Sequence, residues 1–232
     1  MLALRRPSGL LVAAAIAVFA TSSAAGQSKL KCRDLPTSMH NVSTGPGGGG
    51  TSDYTCSFNQ QTLNYTCQVH SKSSVGVIDQ ATVATYASLD DVIDEVAVIP
   101  PRMLAAKMQL SGMGMVATTT YTYDAKKRAL REVMVSPGAT TTLNYTAWDA
   151  SGRPTRSRST STAPSYVPID DDITYDDVAR TATHTRTGGP GASTTVIEFN
   201  PLGYYARITA QTSVGKTIAT MTILATEKIC RP

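Results

Sequence analysis

Apolar and polar positions alternate with a period of two through most of the chain, and switch to a helical period only once. Tyr54-Thr55-Cys56-Ser57-Phe58 sets ring or sulfur against hydroxyl, and Leu63-Asn64-Tyr65-Thr66-Cys67 repeats the pattern after Asn59 to Thr62. Such alternation predicts two half-buried strands joined as a hairpin. Pairing Phe58 with Tyr65 sets Cys56 directly opposite Cys67. From Ala81 to Ala87 a further strand is expected around Val83 and Tyr86, whose odd spacing implies an irregularity. Ser88-Leu89-Asp90-Asp91 then has the form of a capping box, and Leu89, Val92, Ile93, Val96 and Ala97 fall on one helical face. One short helix near 89–98 is therefore predicted, stopped by Pro100-Pro101 and packed on a face of the sheet. Arg102 to Ser111 reads as the next strand.

Beyond residue 120 a single hairpin signature recurs: Tyr121-Thr122-Tyr123-Asp124, Tyr145-Thr146-Ala147-Trp148-Asp149, Ile173-Thr174-Tyr175-Asp176 and Val196-Ile197-Glu198-Phe199-Asn200. Each strand ends on an aromatic followed by Asp or Asn. The aromatic positions 123, 148, 175 and 199 lie 25, 27 and 24 residues apart, a spacing that suits one supersecondary unit per repeat. In Asp149-Ala150-Ser151-Gly152-Arg153 the aspartate suits the first position of a type I turn, and Gly152 falls where a left-handed residue closes the hairpin as a bulge.

These residues resemble the YD repeats of the Rhs, teneurin and insecticidal-toxin shell proteins, whose pattern is close to Tyr-Asp-x-x-Gly-Arg-Leu-Thr. The resemblance runs over about residues 121–210. Trp148 replaces the Tyr and Pro154 the Leu in one copy; Lys127 and Ala179 stand where Gly is expected in two others, and Tyr204 stands for Arg after Gly203. Phe58-Asn59 is a weaker echo. A non-glycine residue in a left-handed conformation costs about 1 kcal/mol, so Lys127 and Ala179 imply altered turns. The resemblance implies β architecture, and the chain is far too short to enclose a toxin as those shells do.

The expected fold is therefore mostly β: an antiparallel meander of repeated β-hairpins forming a twisted or curved sheet, with the one short helix. Strands rich in Thr and Ser imply one wet face. Gly45 to Gly50 is read as a flexible loop at 45–50, and Ser157 to Pro168 as a long loop between hairpins.

Residues 1–25 have the form of a secretory signal, with Arg5 and Arg6 before the apolar run Leu10 to Ala20 and Ser23-Ala24-Ala25 at the cleavage site. Residues 26–232 then make one β-rich domain, secreted or periplasmic, with no transmembrane segment expected. Removing the leader lowers the net charge from +4 to +2, too weak a balance for a nucleic-acid partner. Four cysteines in an oxidising compartment favour two disulfides, Cys56 with Cys67 and Cys32 with Cys230.

No catalytic constellation is legible, and neither an enzymatic activity nor a cofactor is expected. His40, His70 and His184 are scattered and read as exposed structural residues, and the cysteines lack zinc-finger spacing, so no metal site is assigned. Asp170-Asp171-Asp172 with Asp176-Asp177 is the best cation candidate, but lacks a calcium-loop spacing. Asn41, Asn64 and Asn144 begin glycosylation sequons, the last two inside expected strands. Tyr121, Tyr123, Tyr145 and Trp148 could form an aromatic platform, which makes a carbohydrate or other cell-envelope component a partner class to consider. Tyr145 and Trp148 share a face only if a bulge separates them. Two functions fit: an exported, non-enzymatic structural or binding module built from YD-like hairpins, and a periplasmic carrier of a lipid or other apolar ligand, lined in part by Met103, Met108, Met113 and Met115.

Overall fold

The computed structural model describes residues 31–46, 48–74, 76–93, 103–110, 116–187, 191–213 and 215–231. The leader at 1–25, the expected helical continuation through Val96 and Ala97, and Met113 and Met115 lie outside these residues. Fourteen strands follow one another around a closed antiparallel barrel. They are β1 (Cys32–Thr44), β2 (Gly50–Asn59), β3 (Asn64–Ser73), β4 (Gly76–Tyr86), β5 (Met103–Leu110), β6 (Val116–Tyr123) and β7 (Ala129–Ser136), then β8 (Ala139–Trp148), β9 (Pro154–Ser161), β10 (Ile169–Asp176), β11 (Thr181–Arg186), β12 (Ser193–Phe199), β13 (Tyr205–Thr212) and β14 (Gly215–Cys230). A short helix, α1 (Leu89–Ile93), lies between β4 and β5.

The expected twisted or curved sheet closes on itself. β1 pairs along its whole length with β14, from Cys32 opposite Cys230 to Thr44 opposite Ile218. Closure removes both sheet edges, whose unpaired N–H and C=O groups would otherwise recruit other chains. The Cys32–Cys230 disulfide fastens this seam, with an S–S distance of 2.01 Å, and Cys56–Cys67 bridges β2 and β3 at 2.08 Å. The register places Phe58 opposite Tyr65 and Cys56 opposite Cys67.

One end of the barrel is built from the aromatic-Asx turns. Asp124 N–H donates to Arg128 O and Lys127 N–H to Asp124 O, and the Asp149–Arg153 and Asn200–Tyr204 turns repeat both bonds. The left-handed residue is Lys127 (φ 61°), Gly152 (φ 81°) and Gly203 (φ 83°) respectively. The Asp176 turn is one residue longer: Asp176 Oδ1 accepts from Val178 and Ala179 N–H, and Arg180 (φ 54°) is left-handed, so Ala179 does not take the glycine role expected of it. Asn59 makes the same longer turn, ending on Leu63 at φ 55°.

Side chains join successive turns. Arg153 Nε donates to Asp149 Oδ2 at 2.7 Å and its guanidinium lies 4.2 Å over the ring of Tyr175, whose hydroxyl donates to Pro154 O at 2.9 Å. One hairpin earlier, Arg128 bonds Asp124 Oδ2 at 2.7 Å and covers Trp148 at 4.7 Å, while Trp148 Nε1 donates to Ala129 O at 3.0 Å. Trp148 and Tyr175 are thus each clamped by the arginine of the preceding turn. Tyr204 replaces that arginine in the last turn and donates its hydroxyl to Asp34 O, joining the series back to β1.

One loop expectation is revised. Ser157 to Ser161 belongs to β9, and only 162–168 connects it to β10. The strand is polar because Arg156 and Arg158 point outward beside Asp172 and Asp170, while Ser157 and Ser159 point inward; a run with no apolar alternation shows its period only once its partners are known. At the expected loop of 45–50, Gly48 N–H donates to Gly45 O at 3.0 Å and Gly50 already belongs to β2.

Candidate functional site

The alternation of burial identifies the inner wall. Leu35, Met39, Tyr54, Cys56, Tyr65, Cys67, Val69 and Ala84 are buried and inward on β1 to β4, and Tyr145, Ile173, Ala182 and Ile197 on the opposite half. Burial falls along each strand away from the turn end. On β11 Ala182 is fully buried, and His184 and Arg186 beyond it are partly open; on β12 Ile197 gives way to Thr195 and Ser193 in the same manner. Eight strands suffice for side chains to fill a barrel; fourteen enclose space. Among the described residues this interior has the outline of a cup, packed at the turn end and less buried toward the other.

Helix α1 helps to close the packed end. Ser88 caps it, accepting from Asp91 N–H at 3.1 Å and donating to Asp91 Oδ2 at 2.7 Å. Val92 and Ile93 are buried. Three cations from separate parts of the wall hold it: Arg33 donates to Val92 O at 2.5 Å, Lys127 Nζ bonds Asp91 Oδ1 at 2.9 Å, and Arg231 bonds Asp90 Oδ1 at 2.8 Å. Arg33 and Arg231 flank the seam cysteines, so the disulfide positions two of the three.

The inner wall mixes apolar and polar groups. Glu132, on β7, takes a hydrogen bond from Tyr145, and burial pushes its carboxyl up to about 7 against that bond. Burial also raises the phenol of Tyr145, with Glu132, Tyr121, Tyr175 and Tyr123 close enough to add to it. Asp171 and Arg186 face each other across β10 and β11, with Arg186 Nε 3.5 Å from Asp171 Oδ1. His184 lies one inward position deeper, and burial lowers its pKa although Asp171 opposes this. Among the described residues, the buried atoms Thr82 Oγ1, His184 Nε2 and Arg186 Nε of these strands make no hydrogen bond. Thr82 is on β4, seven strands from β11 whichever way the ring is followed.

The outer wall is different in kind. Thr118, Thr120 and Thr122 on β6 and Thr55 and Ser57 on β2 point outward, and cross-strand ion pairs lie among such positions: Arg156 with Asp172 at 3.3 Å, Arg158 with Asp170 at 3.7 Å, and Arg207 with Glu198 at 3.9 Å. His40, Asp53, His70 and Asp79 form one cross-strand row on β1 to β4, with His40 Nδ1–Asp53 and His70 Nδ1–Asp79 contacts both at 2.6 Å.

The residues singled out from sequence are thus redistributed. Two of the supposedly scattered histidines share that outer row, and His184 is interior rather than exposed, because it pairs with buried Ile173. Among the described residues no three ligating side chains converge as a metal site would require. The five aspartates of 170–177 point to different faces, with Asp170, Asp171, Asp172 and Asp177 each beside a different arginine. The aromatic set is no exposed platform: Tyr145 is buried, Tyr121 packs on the core, and Arg128 covers Trp148, the register shifting between Tyr145 and Trp148. Met108 faces inward. Sequence reasoning missed Glu132, Arg186 and Thr82, and the alternating Glu132-Val133-Met134 and Thr183-His184-Thr185-Arg186 were the available signals.

No protein-family model matches the chain, and no curated protein matches it. Among solved structures it is similar to a porin-like protein from Bacteroides uniformis ATCC 8492, with 10% identity over 81% of this chain and 96% of that chain and a TM-score of 0.39. A likeness of this size carries no argument about function.

Proposed function

We propose that the chain is an exported, water-facing β-barrel that carries an amphipathic small molecule in its cup. The observation that supports this reading is the polarity of the two walls. A barrel that spans a bilayer turns an apolar band outward and polar groups inward. This one turns mainly threonines and ion pairs outward at mid-strand, with Val42, Val77, Val135 and Leu224 dispersed among them, and places Tyr54, Tyr65, Tyr145, Ile173, Ile197 and Met39 inside. Each outward arginine would cost about 2–4 kcal/mol at a bilayer midplane, and each outward carboxylate less, whereas in water such a wall is unstrained. Two disulfides suit an oxidising, extracytoplasmic setting. The YD-like turns are, in our reading, the rigid rim that holds the closed end in shape; their clasps support repeat ancestry.

The test has two arms. Protein exported from a bacterial host and purified without detergent should be monodisperse, and native mass spectrometry should detect a retained small molecule. After stripping, it should bind the neutral probe N-phenyl-1-naphthylamine, and Leu143→Trp, which fills the cup, should reduce that binding. Aggregation relieved only by detergent, or no probe binding, overturns the reading.

A further inference from the structure

Resting on the carrier reading, we propose that the ligand is an amphiphile with a singly charged acidic head, held by Arg186 and His184 near the open side of the cup, its apolar tail pointing toward the closed end. Arg186 is the last residue of β11, and its guanidinium makes no hydrogen bond among the described residues. Its sole ionic contact is Asp171, whose Oδ1 stands 3.5 Å from Nε, longer than the roughly 2.7–2.9 Å of a formed charge-assisted bond. The other arginines with described contacts are engaged: Arg128 and Arg153 in turns, Arg33 through Nη1 and Arg231 on α1, and Arg156, Arg158 and Arg207 in outer ion pairs.

His184 adds a second inward nitrogen beside it, two residues away on the same face of β11. Its Nε2 is buried without a partner. An unpartnered buried polar atom is unfavourable by itself, and two adjacent ones on one wall are both relieved by a single oxygen-bearing head. Arginine supplies a planar pair of donors matched to a carboxylate. Asp171 limits the head's charge: with Arg186 it already makes a neutral pair, so one added negative charge is accommodated more readily than the two of a phosphate monoester. Deeper on the same walls, Ile173, Ala182 and Ile197 are buried, and Leu143 and Ile208 face inward beside them. Polar donors above and apolar side chains below fit a head and a tail.

The experiment is isothermal titration of the stripped, disulfide-bonded protein with lauric acid, lauryl alcohol, laurylamine and lauryl phosphate. Lauric acid should bind tightest, with Arg186→Gln weakening it at least about tenfold while leaving lauryl alcohol unchanged. His184→Asn should weaken it less. Arg186→Lys, which keeps the charge and loses the fork, should retain part of the preference and serves if Arg186→Gln fails to fold. Equal binding of acid, alcohol and amine, preference for the phosphate, or an acid affinity indifferent to both Arg186 variants overturns the acidic-head inference while leaving the carrier standing. Binding of none of the four overturns both.

Discussion

Arg153 lies over Tyr175 from the hairpin before it, and with the same side chain holds Asp149 at 2.7 Å and Asp177 at 2.5 Å. One residue thereby fixes three turn-end groups from two successive hairpins. Arg153→Ala should lower stability by roughly 1–2 kcal/mol, since a stacked cation and its charge-assisted bonds are lost together. Arg128→Ala should cost less, because Arg128 lies farther from its ring and has no second carboxylate. Urea denaturation of the two variants checks the order, and a larger loss for Arg128→Ala would contradict this account of the clasps.

The turn conformations make a second, opposite pair of predictions. Gly152 has φ 81°, and a Cβ there would also approach Arg128 Cγ at 3.3 Å. Gly152→Val should destabilise by about 1–2 kcal/mol. Arg180 occupies the left-handed region without glycine's freedom, so Arg180→Gly should stabilise by about 0.5–1 kcal/mol. Melting temperatures moving down and up respectively are the expected outcome.

The pH dependence of stability should carry the mark of Glu132. Its carboxyl is raised from 4.5 to about 7 in the folded chain, so the folded state holds a proton that the unfolded state releases. That contribution is complete below pH 4.5, declines as pH rises, and is gone above pH 7; its full size is on the order of 3 kcal/mol. His184 acts in the other direction, since its lowered pKa makes acid below about pH 6.5 destabilising. Glu132→Gln should remove the decline between pH 5 and pH 7.5 and leave the acid limb intact. An unchanged slope in urea titrations at those two pH values would show that Glu132 is not the group responsible.

Removing the seam disulfide should cost more than removing the hairpin one. Cys32 and Cys230 are 198 residues apart and Cys56 and Cys67 only 11, giving loop-closure limits of about 5 and about 3 kcal/mol. In the paired alanine variants, amide exchange in α1 should quicken when Cys32 and Cys230 are replaced, because Arg33 and Arg231 then lose their anchored backbone. It should change less when Cys56 and Cys67 are replaced.

Local hydrogen bonding made much of this fold readable in the sequence. The frame of Tyr54 to Cys67, the cap at Ser88, and the turn at Asp149 to Gly152 depend on neighbours within about a dozen residues. The closing of the sheet left one sign in the sequence, the expected Cys32–Cys230 pair; the strand pairing itself was not readable, since nothing in Arg33 or Ile229 names the other. The cup was hidden for a related reason. Glu132, His184 and Arg186 look like ordinary members of alternating strands, and only closure decides that their face is the inner one. β9 misled because its inward serines and outward arginines both read as loop until Asp170 and Asp172 stand beside them.

The seam cysteines and α1 share the closed end, so the segments leading to Cys32 and away from Cys230 both depart from the base of the cup. Tethering the molecule through either segment to a bead, a membrane anchor or a fused partner leaves the opposite end of the barrel pointing away from the tether. On the carrier reading proposed above, cargo leaves by the opening through which it came, so loading and delivery compete for one doorway.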